Sequence, residues 1–207
     1  MIAIIDYGMG NLKSVSKAFE KLNAKVKVTS DASDIDRASK IVFPGVGSFA
    51  DGMLGLSKRG LISVIKSSID KKKPFLGLCL GLQLLFAESE EAPQTEGLGV
   101  LKGKVKKLPF ISEDKKFKIP HIGWNQVSLT KKGENSNLLS GIKEGSFVYF
   151  VHSYYAEPED TSIIASTTEY SIRFCSSLIK DNIYATQFHP EKSQRVGLKI
   201  LENFIRI

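Results

Sequence analysis

The sequence predicts an α/β fold with a mostly parallel sheet, helices on both faces, and antiparallel strands added in the second half. Through about residue 90, short apolar runs typical of buried strands alternate with segments whose apolar residues recur at helical spacing. Such alternation favours a parallel sheet that is covered on both faces. From about Lys102 to Ala185 the apolar runs are short, β-branched and aromatic, with turn residues between them. We expect these runs to form antiparallel strands at the far edge of the same sheet.

The first half opens with a short strand and an amphipathic helix. Residues 2–6, Ile-Ala-Ile-Ile-Asp, form an apolar run that predicts a buried strand. From Asn11 to Leu22 the apolar residues line one helical face, and Asn11 is placed to cap the start of the helix. The next predicted elements are strands over 25–29 and 40–43, helices near 48–56 and 61–71, a strand over 74–78 and a helix over 80–88.

The second half is dominated by β-type sequence and ends in a helix. The clearest strand-like runs cover 147–151, 162–168 and 172–180, and the segment over 193–207 is amphipathic with helical spacing. No linker, repeat or low-complexity stretch interrupts the chain, so we expect one domain over residues 1–207. The predicted arrangement is flavodoxin-like.

The composition is that of an ordinary globular protein. Of 207 residues, 42% are hydrophobic and 25% are charged, and a chain of this length can hold a core without disulfides or metals. The two cysteines, Cys79 and Cys175, have no metal-type or disulfide-framework spacing, and we expect no cofactor and no metal. No apolar run approaches the roughly 20 residues that cross a bilayer, and no signal sequence is apparent. We expect a protein of the cytoplasm, away from membranes, where a free thiol stays reduced.

The net charge of +7 reflects lysines that gather in four places. A basic face can bind nucleic acid, but these lysines are scattered and no pattern of stacking aromatic residues accompanies them. We therefore interpret them as solvated residues on loops and helix ends, with no nucleic-acid partner. The clusters lie at 71–73, 102–107, 115–116 and 131–132.

Residues 75–81, Phe-Leu-Gly-Leu-Cys-Leu-Gly, have the pattern of a nucleophile elbow with cysteine as the nucleophile. The two glycines fit because the nucleophile adopts a strained backbone, and a Cβ two residues away on either side would collide with the turn. The turn raises the Cys79 sulfur above the sheet, where the start of the next helix favours a thiolate and a developing oxyanion. A lone cysteine is usually structural, as we expect for Cys175 in its strand-like run, but the flanking glycines favour a nucleophile at Cys79.

A thiol nucleophile needs a base, and the base needs a group that fixes its tautomer. His189 ends a predicted strand, a proline follows it, and Glu191 comes close enough to accept a hydrogen bond from the imidazole. Strand ends at one edge of a parallel sheet converge, so Cys79 and His189 can meet. The alternative for His189 is a surface His-Pro turn. We expect His121 to shape a loop and His152 to be structural, although His152 could lie near the site.

A second glycine-rich turn, Pro44-Gly45-Val46-Gly47-Ser48-Phe49, follows the third predicted strand. Glycines on either side of Val46 would let a backbone N–H turn toward the pocket, although such a string alone is usually only a turn. Together with the N–H of Leu80 at the elbow it would form an oxyanion hole, to which we assign Val46, Gly47 and Leu80. Because a peptide flanked by glycines rotates easily, we expect this one to flip into place rather than be preset.

These motifs resemble those of the class I glutamine amidotransferases, a family with a Cys-His-Glu triad. Gly77-Leu78-Cys79-Leu80-Gly81-Leu82-Gln83 and His189-Pro190-Glu191 match the class, with no departure in the triad. Five segments resemble more closely one branch of the family, the glutaminase subunits of histidine biosynthesis. Taken in order they span nearly the whole chain, so the set is much more specific than the class motifs alone. The segments are 4–12, 44–49, 123–125, 149–154 and 189–193.

The resemblance implies a glutaminase that hydrolyses L-glutamine to glutamate and ammonia through Cys79, His189 and Glu191. It also implies a separate (β/α)8-barrel cyclase subunit, in a heterodimer, that uses the ammonia to make imidazole glycerol phosphate and an aminoimidazole carboxamide ribonucleotide. By the same resemblance, the residues that bind glutamine would be Gly47, Gln83, Glu91, Ser153 and Tyr154, and those near the partner would be Tyr149 and Asn11.

We expect the acceptor of the ammonia to bind to another polypeptide. We expect its binding there to make the Gly45-Val46-Gly47 turn flip, because a resting glutaminase should be poorly active. The fold of the family would use the whole chain, and the sequence has no Walker P-loop and no G-x-G-x-x-G motif. Two alternatives stay open. One is the glutaminase of another pathway, such as pyridoxal phosphate, anthranilate or guanylate synthesis, which we would expect to lack the 6–11 and 123–125 segments. The other is a non-enzymatic flavodoxin-like protein whose cysteine is a redox sensor.

Overall fold

The computed structural model describes residues 1–109 and 118–207, so the lysines expected to be solvated at 115–116 lie outside the described residues. Twelve strands and seven α-helices make up the described part. The strands are β1 (Ile2–Ile5), β2 (Val26–Thr29), β3 (Lys40–Gly45), β4 (Phe75–Cys79), β5 (Phe86–Ser89), β6 (Leu101–Lys107), β7 (His121–Leu129), β8 (Ser146–His152), β9 (Tyr154–Pro158), β10 (Ile164–Tyr170), β11 (Ile172–Lys180) and β12 (Ile183–Thr186). The helices are α1 (Leu12–Lys21), α2 (Ala32–Arg37), α3 (Phe49–Lys58), α4 (Ile62–Asp70), α5 (Leu80–Gln83), α6 (Lys131–Glu134) and α7 (Gln194–Arg206), with short 3-10 turns at Thr161–Ile163 and Pro190–Lys192.

Nine strands form one sheet in the order β2-β1-β3-β4-β12-β11-β10-β7-β8. The first five are parallel to one another. The other four extend the sheet with antiparallel pairs. The predicted class, a parallel sheet with antiparallel strands added in the second half, is confirmed. The last strand, β12, returns to the centre and lies between β4 and β11, so the chain after β12 emerges beside the end of β4.

The parallel strands are buried on both faces, and their side chains alternate between two apolar cores. In β1, Ala3 and Ile5 belong to one core, whereas Ile2 and Ile4 belong to the other. Helices α2, α3 and α4 cover the first face, and α1 and α7 cover the second. Helices therefore lie on both faces, as the sequence predicts.

Several predicted elements agree with the structure to within two residues. Asn11 caps α1, because its side-chain oxygen accepts a hydrogen bond from the backbone N–H of Ser14 at 3.2 Å. The helices expected near 48–56 and 61–71 are α3 and α4, and the expected strand over 172–180 is β11. The C-terminal segment forms α7, as expected.

The helix predicted over 80–88 is wrong beyond its first turn. Helix α5 ends at Gln83, and Phe86–Ser89 forms strand β5 instead. The residues from 80 to 86 are all buried, and a continuous apolar run does not distinguish a buried helix from a buried strand.

Strand β5 belongs to a separate three-stranded sheet, in the order β5-β6-β9. The expectation that every strand of the second half extends the main sheet is therefore wrong. Pairing between strands that are far apart in the chain leaves no periodic pattern in the sequence. Which of the two sheets a strand joins could therefore not be predicted from the sequence. His121, expected in a loop, is the first residue of β7.

The clustered lysines in the described part are largely on the surface, and some form ion pairs there. The Nζ of Lys71 lies 2.6 Å from Asp36, and that of Lys106 lies 2.8 Å from Glu157. Within residues 1–109 and 118–207, no helix is long and apolar enough to cross a membrane.

Helix α7 packs against the 3-10 turn that follows His189. A Cβ added to Gly197 would lie 1.8 Å from the backbone oxygen of Pro190. Alanine is normally better than glycine inside a helix, yet we expect Gly197→Ala to lower the free energy of unfolding by about 1–3 kcal/mol, because the helix must move away from the turn. Urea unfolding measures this change.

Gly52→Ala in α3 is the matched control. A Cβ at Gly52 would meet only the ends of leucine side chains, the nearest at 3.0 Å, and these can shift. We expect a smaller cost there, and equal costs for the two variants would contradict the packing argument.

Candidate active site

Cys79 sits at the predicted elbow between β4 and α5. Its φ of +53° is in the left-handed region, which residues with a side chain seldom adopt. A Cβ on Gly77 would lie 2.9 Å from the backbone oxygen of Gly81, within the turn. A Cβ on Gly81 would lie 1.9 Å from the backbone oxygen of Phe43. Both positions thus require glycine. Gly81 is required because strand β3 lies so close to it, and not because of the geometry of the turn.

His189 follows β12 and is held by Glu191. The Nδ1 atom of His189 lies 2.7 Å from Oε1 of Glu191, and the two side chains are only 3% and 2% exposed. A carboxylate can only accept here, so Nδ1 carries a hydrogen. The Nε2 atom of His189 is buried and makes no regular hydrogen bond within the described residues. The sulfur of Cys79 is close enough to interact with the ring.

Opposing effects act on the pKa of His189. Burial disfavours the imidazolium and lowers the pKa, whereas the Cys79 thiolate and the Glu191 carboxylate favour it. The result is a pKa raised from 6.5 to about 10. At neutral pH His189 therefore keeps its proton as long as Cys79 is a thiolate, and the two residues form an ion pair.

A cavity of about 440 Å³ opens in front of Cys79. It lies at the carboxyl ends of the parallel strands, which is where α/β sheets generally bind ligands. The cavity is lined by all the residues that were predicted for the oxyanion hole and for glutamine binding. His189 and Glu191 are not part of the lining and are buried beside Cys79. The predicted residues in the lining are Val46, Gly47, Leu80, Gln83, Glu91, Ser153 and Tyr154.

The turn predicted to form the oxyanion hole lies beside the sulfur, because Gly45 pairs with Cys79 in the register of β3 and β4. A Cβ on Gly45 would lie 2.1 Å from the Tyr7 hydroxyl, and one on Gly47 would lie 2.3 Å from Cε of Met9. Gly47 also has a φ of +112°. Both positions thus require glycine. The expected flip of this turn stays a prediction.

Two polar side chains of the lining are fixed by hydrogen bonds. The Nε2 atom of Gln83 donates to the backbone oxygen of Tyr154 at 2.8 Å and to Oε1 of Gln187 at 3.2 Å. The amide nitrogen is thus occupied, and the amide oxygen is what Gln83 can offer a ligand. Glu91 accepts a hydrogen bond from the backbone N–H of Phe49 at 2.8 Å, which ties it to the first turn of α3.

His152 also lines the cavity and forms a buried pair with His121. Its Nδ1 donates to the backbone oxygen of Tyr154 at 2.9 Å, so its Nε2 accepts from Nδ1 of His121 at 3.1 Å. The remaining nitrogen of His121 lies 3.4 Å from the side-chain nitrogen of Asn125. Each of the four ring nitrogens can take the donor or acceptor part that its neighbour requires only if both rings are neutral. Burial lowers the pKa of His121 to about 4 and, together with His121, that of His152 to about 3.

Sequence reasoning did not assign several residues of the site, although it allowed that His152 could lie near it. Pro120, Val151, His152 and Lys192 complete the lining of the cavity. Gln187, behind it, is fully buried and donates from Nε2 to the Cys79 sulfur at 3.6 Å. For Gln187 the sequence shows only a polar residue between a predicted strand and Phe188, which does not indicate that its side chain faces Cys79. Lys192 had no signal beyond its closeness to Glu191.

The second cysteine lies in the core, as predicted. Cys175 is 4% exposed in β11, and burial raises the pKa of its thiol to about 12. It is therefore a poor nucleophile. Among the residues that the structure describes, no group of three His, Cys, Asp or Glu side chains is arranged to hold a metal ion.

Tyr149 lies on an exposed face of the edge strand β8 and its neighbour β7. The face also carries Trp124, whose ring lies 6.0 Å from that of Tyr149. Ile122, Trp124 and Phe147 are 59%, 45% and 53% exposed. Asn11 is exposed at the start of α1, at the same end of the sheet as Cys79.

The profile of the family Glutamine amidotransferase class-I matches residues 3–207 of the chain. A protein of Aquifex aeolicus is 53% identical over 204 residues, which cover 98% of this chain and 95% of the relative. One of Syntrophotalea carbinolica is 48% identical over 206 residues, which cover 99% of this chain and 98% of the relative. Both relatives are described as Imidazole glycerol phosphate synthase subunit HisH.

Solved structures resemble the fold at low sequence identity. A crystal structure of a glutamine amidotransferase superposes with a TM-score of 0.75 at 13% identity, covering 100% of both chains. The PurLQS structure from Thermotoga maritima superposes with a TM-score of 0.73 at 16% identity, covering 99% of this chain and 97% of the other. At such identities the likeness concerns the fold alone.

The histidine pair should make the fold sensitive to acid. His121 and His152 are neutral when folded at pH 5, because their pKa values are about 4 and 3, whereas in the unfolded chain they take up protons below pH 6.5. Stability is therefore lost as the pH falls from 7 to 5, by about 1–2 kcal/mol for each ring. His189 acts in the opposite sense, since its raised pKa keeps it protonated and its contribution is fully present below pH 6.5.

His121→Phe tests the pair. A phenyl ring can stack on Phe150 and Tyr170 as the imidazole does, but it cannot titrate. We expect the fall in the free energy of unfolding between pH 7 and pH 5 to be smaller than in the native chain by about 1–2 kcal/mol. Urea unfolding at the two pH values measures it. An undiminished loss would show that the pair is not what titrates in this range.

Proposed function

The chain belongs to the class I glutamine amidotransferases, and from this we propose that it is the glutaminase subunit of an imidazole glycerol phosphate synthase of histidine biosynthesis. One arrangement supports this function above all. Cys79 lies on a strained elbow, beside an imidazole that Glu191 holds at 2.7 Å, at the wall of a cavity of about 440 Å³. That arrangement suits attack by a thiolate on a small amide substrate.

The cavity has groups that match L-glutamine. We assign the amide oxygen of Gln83 and the carboxylate of Glu91 to its α-ammonium group, since both are acceptors at the lining. Gly47, Ser153 and Tyr154 complete the wall along the substrate. The side-chain amide then reaches Cys79, at the inner end of the cavity.

In the first chemical step, the Cys79 thiolate attacks the carbon of the substrate's side-chain amide and forms a carbon–sulfur bond. The negative charge moves to the amide oxygen, where the backbone N–H groups of Leu80 and of the Val46–Gly47 turn stabilise it. Protonated His189 gives its proton to the amide nitrogen, the carbon–nitrogen bond breaks, and ammonia leaves. A glutamyl thioester remains on Cys79.

In the second step, water replaces ammonia. His189 is now neutral, and the thiolate charge that raised its pKa has gone, so it can accept a proton from water. The hydroxide attacks the thioester, the carbon–sulfur bond breaks, and the product leaves as glutamate after its new carboxyl group has lost its proton to solvent. The thiolate charge returns, and His189 keeps the proton that it took from water. Glu191 fixes the ring and stabilises the imidazolium without taking the proton.

We place the partner, a (β/α)8-barrel cyclase, on the exposed apolar face of β7 and β8. Trp124 and Ile122 are large, exposed and adjacent to the cavity, because Val151 pairs with Ile122 and also lines the cavity. A partner seated there would close the cavity mouth and receive ammonia without loss to solvent. Asn11 lies at the same end of the sheet and would border the contact. We also place the protein in the cytoplasm, where Cys79 stays reduced.

Cys79→Ala should abolish the release of glutamate from glutamine, measured on the chain together with its cyclase and the ligand of the cyclase. We expect a fall of at least about 1000-fold, because the thioester cannot form. Cys175→Ala is the matched control, since Cys175 is buried in β11 and away from the cavity, and it should leave turnover unchanged. Full activity in Cys79→Ala would refute the mechanism.

Trp124→Ala should weaken binding of the cyclase by about 10- to 100-fold, because a large exposed aromatic ring at the centre of an interface commonly contributes that much. Titration calorimetry measures the affinity. Val28→Ala is the control, since Val28 is 39% exposed on β2, at the opposite edge of the sheet. Equal affinities for native chain and Trp124→Ala would place the partner elsewhere.

A further inference from the structure

We propose that Gln187 is a positioning residue for Cys79, whose side-chain N–H holds the sulfur as a thiolate between itself and His189. The inference rests on the proposed function, and it adds a residue to the site. Gln187 follows directly after β12 and is 0% exposed. Its Nε2 lies 3.6 Å from the Cys79 sulfur, and its backbone N–H donates to Ser176 at 2.8 Å.

A chain of hydrogen bonds fixes which way the Gln187 amide faces. The backbone oxygen of Tyr154 can only accept, so the atom of Gln83 that lies 2.8 Å from it must be the nitrogen. That nitrogen lies 3.2 Å from the Gln187 amide, which must present its oxygen there. The other end of the Gln187 amide, the NH₂ group, therefore faces the sulfur. A flipped Gln187 would set two NH₂ groups together and an oxygen against the thiolate.

The two protonation states of Cys79 find unequal partners. As a thiol, Cys79 can donate to the backbone oxygen of Val151, at a long 3.9 Å, or to Nε2 of a neutral His189. It then offers the Gln187 N–H only a weak, uncharged acceptor. As a thiolate, it accepts from the Gln187 amide and faces the imidazolium of His189. The buried Tyr7 hydroxyl also lies within electrostatic range, but burial and the thiolate charge raise its pKa, so it stays neutral. Since the residue is only 6% exposed, water can do little for a charged sulfur. The Gln187 N–H thus supplies a hydrogen bond that favours the charged form.

The hydrogen bond from Gln187 acts on Cys79 before the chemical step and takes no part in that step. As the carbon–sulfur bond forms, negative charge leaves the sulfur for the amide oxygen, and the Gln187 N–H loses its charged acceptor. Gln187 therefore raises the fraction of enzyme that is ready to attack without stabilising the transition state. A residue with only a structural role would alter reactivity equally at every pH, whereas Gln187 should alter it most where the thiolate is scarce.

The test is the pH profile of Cys79 alkylation by iodoacetamide between pH 5.5 and 10, with the Cys79 peptide quantified by mass spectrometry. Gln187→Met keeps the size of the side chain and removes its N–H. We expect the midpoint of the profile to move upward by about one pH unit, so that alkylation below the midpoint is about tenfold slower. At the highest pH the rate should equal or exceed that of the native chain. An unmoved midpoint in the folded variant would overturn the proposal.

Gln187→Glu keeps the acceptor toward Gln83 and sets a carboxylate beside the sulfur, so its midpoint should move further than that of Gln187→Met. Asn203→Leu is the matched control for loss of a buried amide. Asn203 is a buried residue of α7, and its side chain donates to the backbone oxygens of Leu138 and Ser140 at 2.9 and 2.8 Å. It should lower the melting temperature and leave the midpoint in place.

A measurement on the native chain needs no variant. In protein labelled with ¹⁵N at glutamine side chains, alkylation of Cys79 should shift the Gln187 amide resonance, and an unmoved resonance would overturn the proposal. These readouts are independent of glutamine hydrolysis. Activity surviving in Cys79→Ala would refute the proposed function, whereas an unmoved alkylation midpoint would refute only the role of Gln187.

Discussion

The site depends on the pairing of β12 with β4. This parallel register sets Thr186 beside Leu78, so the chain that leaves β12 passes the elbow and delivers Gln187 and His189 to Cys79 from one side. On the other side, β3 sets Gly45 beside Cys79. Three segments far apart in sequence thus meet at one edge of the sheet because backbone hydrogen bonds fix their register. A shift of one residue in either pairing would turn the functional side chains to the opposite face.

Close backbone packing is the second requirement, and it explains the pattern of glycines better than local turn geometry does. The first turn of α5, which follows Cys79, lies so close to β3 that Gly81 has no room for a methyl group, because an added Cβ would lie 1.9 Å from the backbone oxygen of Phe43. The same holds at Gly197, where α7 lies on the turn that carries Glu191. The strained φ of Cys79 is tolerated because neighbours on several sides leave it no relaxed alternative.

The sequence predicted much of this site because its chemistry is encoded in short local motifs. The elbow, the His-Pro-Glu turn and the glycine-rich turn after β3 each carry a signal within a few residues, and strand ends at one edge were expected to converge. The second sheet and strand β5 were not predictable, since a run of buried apolar residues fits either secondary structure and distant pairing leaves no local trace. Gln187 escaped notice for a related reason, because only the fold reveals that a lone polar residue faces a sulfur.

The buried side chains of His121, His152, Gln83 and Gln187 form one series of hydrogen bonds. Which group donates and which accepts in this series is fixed by the backbone oxygen of Tyr154. The backbone oxygen of Tyr154 accepts from His152 and from Gln83, and as a carbonyl it cannot reverse its role. The tautomer of the histidine pair and the orientation of both glutamine amides are therefore set by a single backbone atom. In a buried series of this kind, each hydrogen bond leaves the next group one satisfactory orientation. The donor that reaches Cys79 thus depends on the position of residues 151–154, where β8 ends and β9 begins, and the same residues form part of the cavity wall. Substrate binding and the readiness of the nucleophile are in this way fixed by the same piece of backbone.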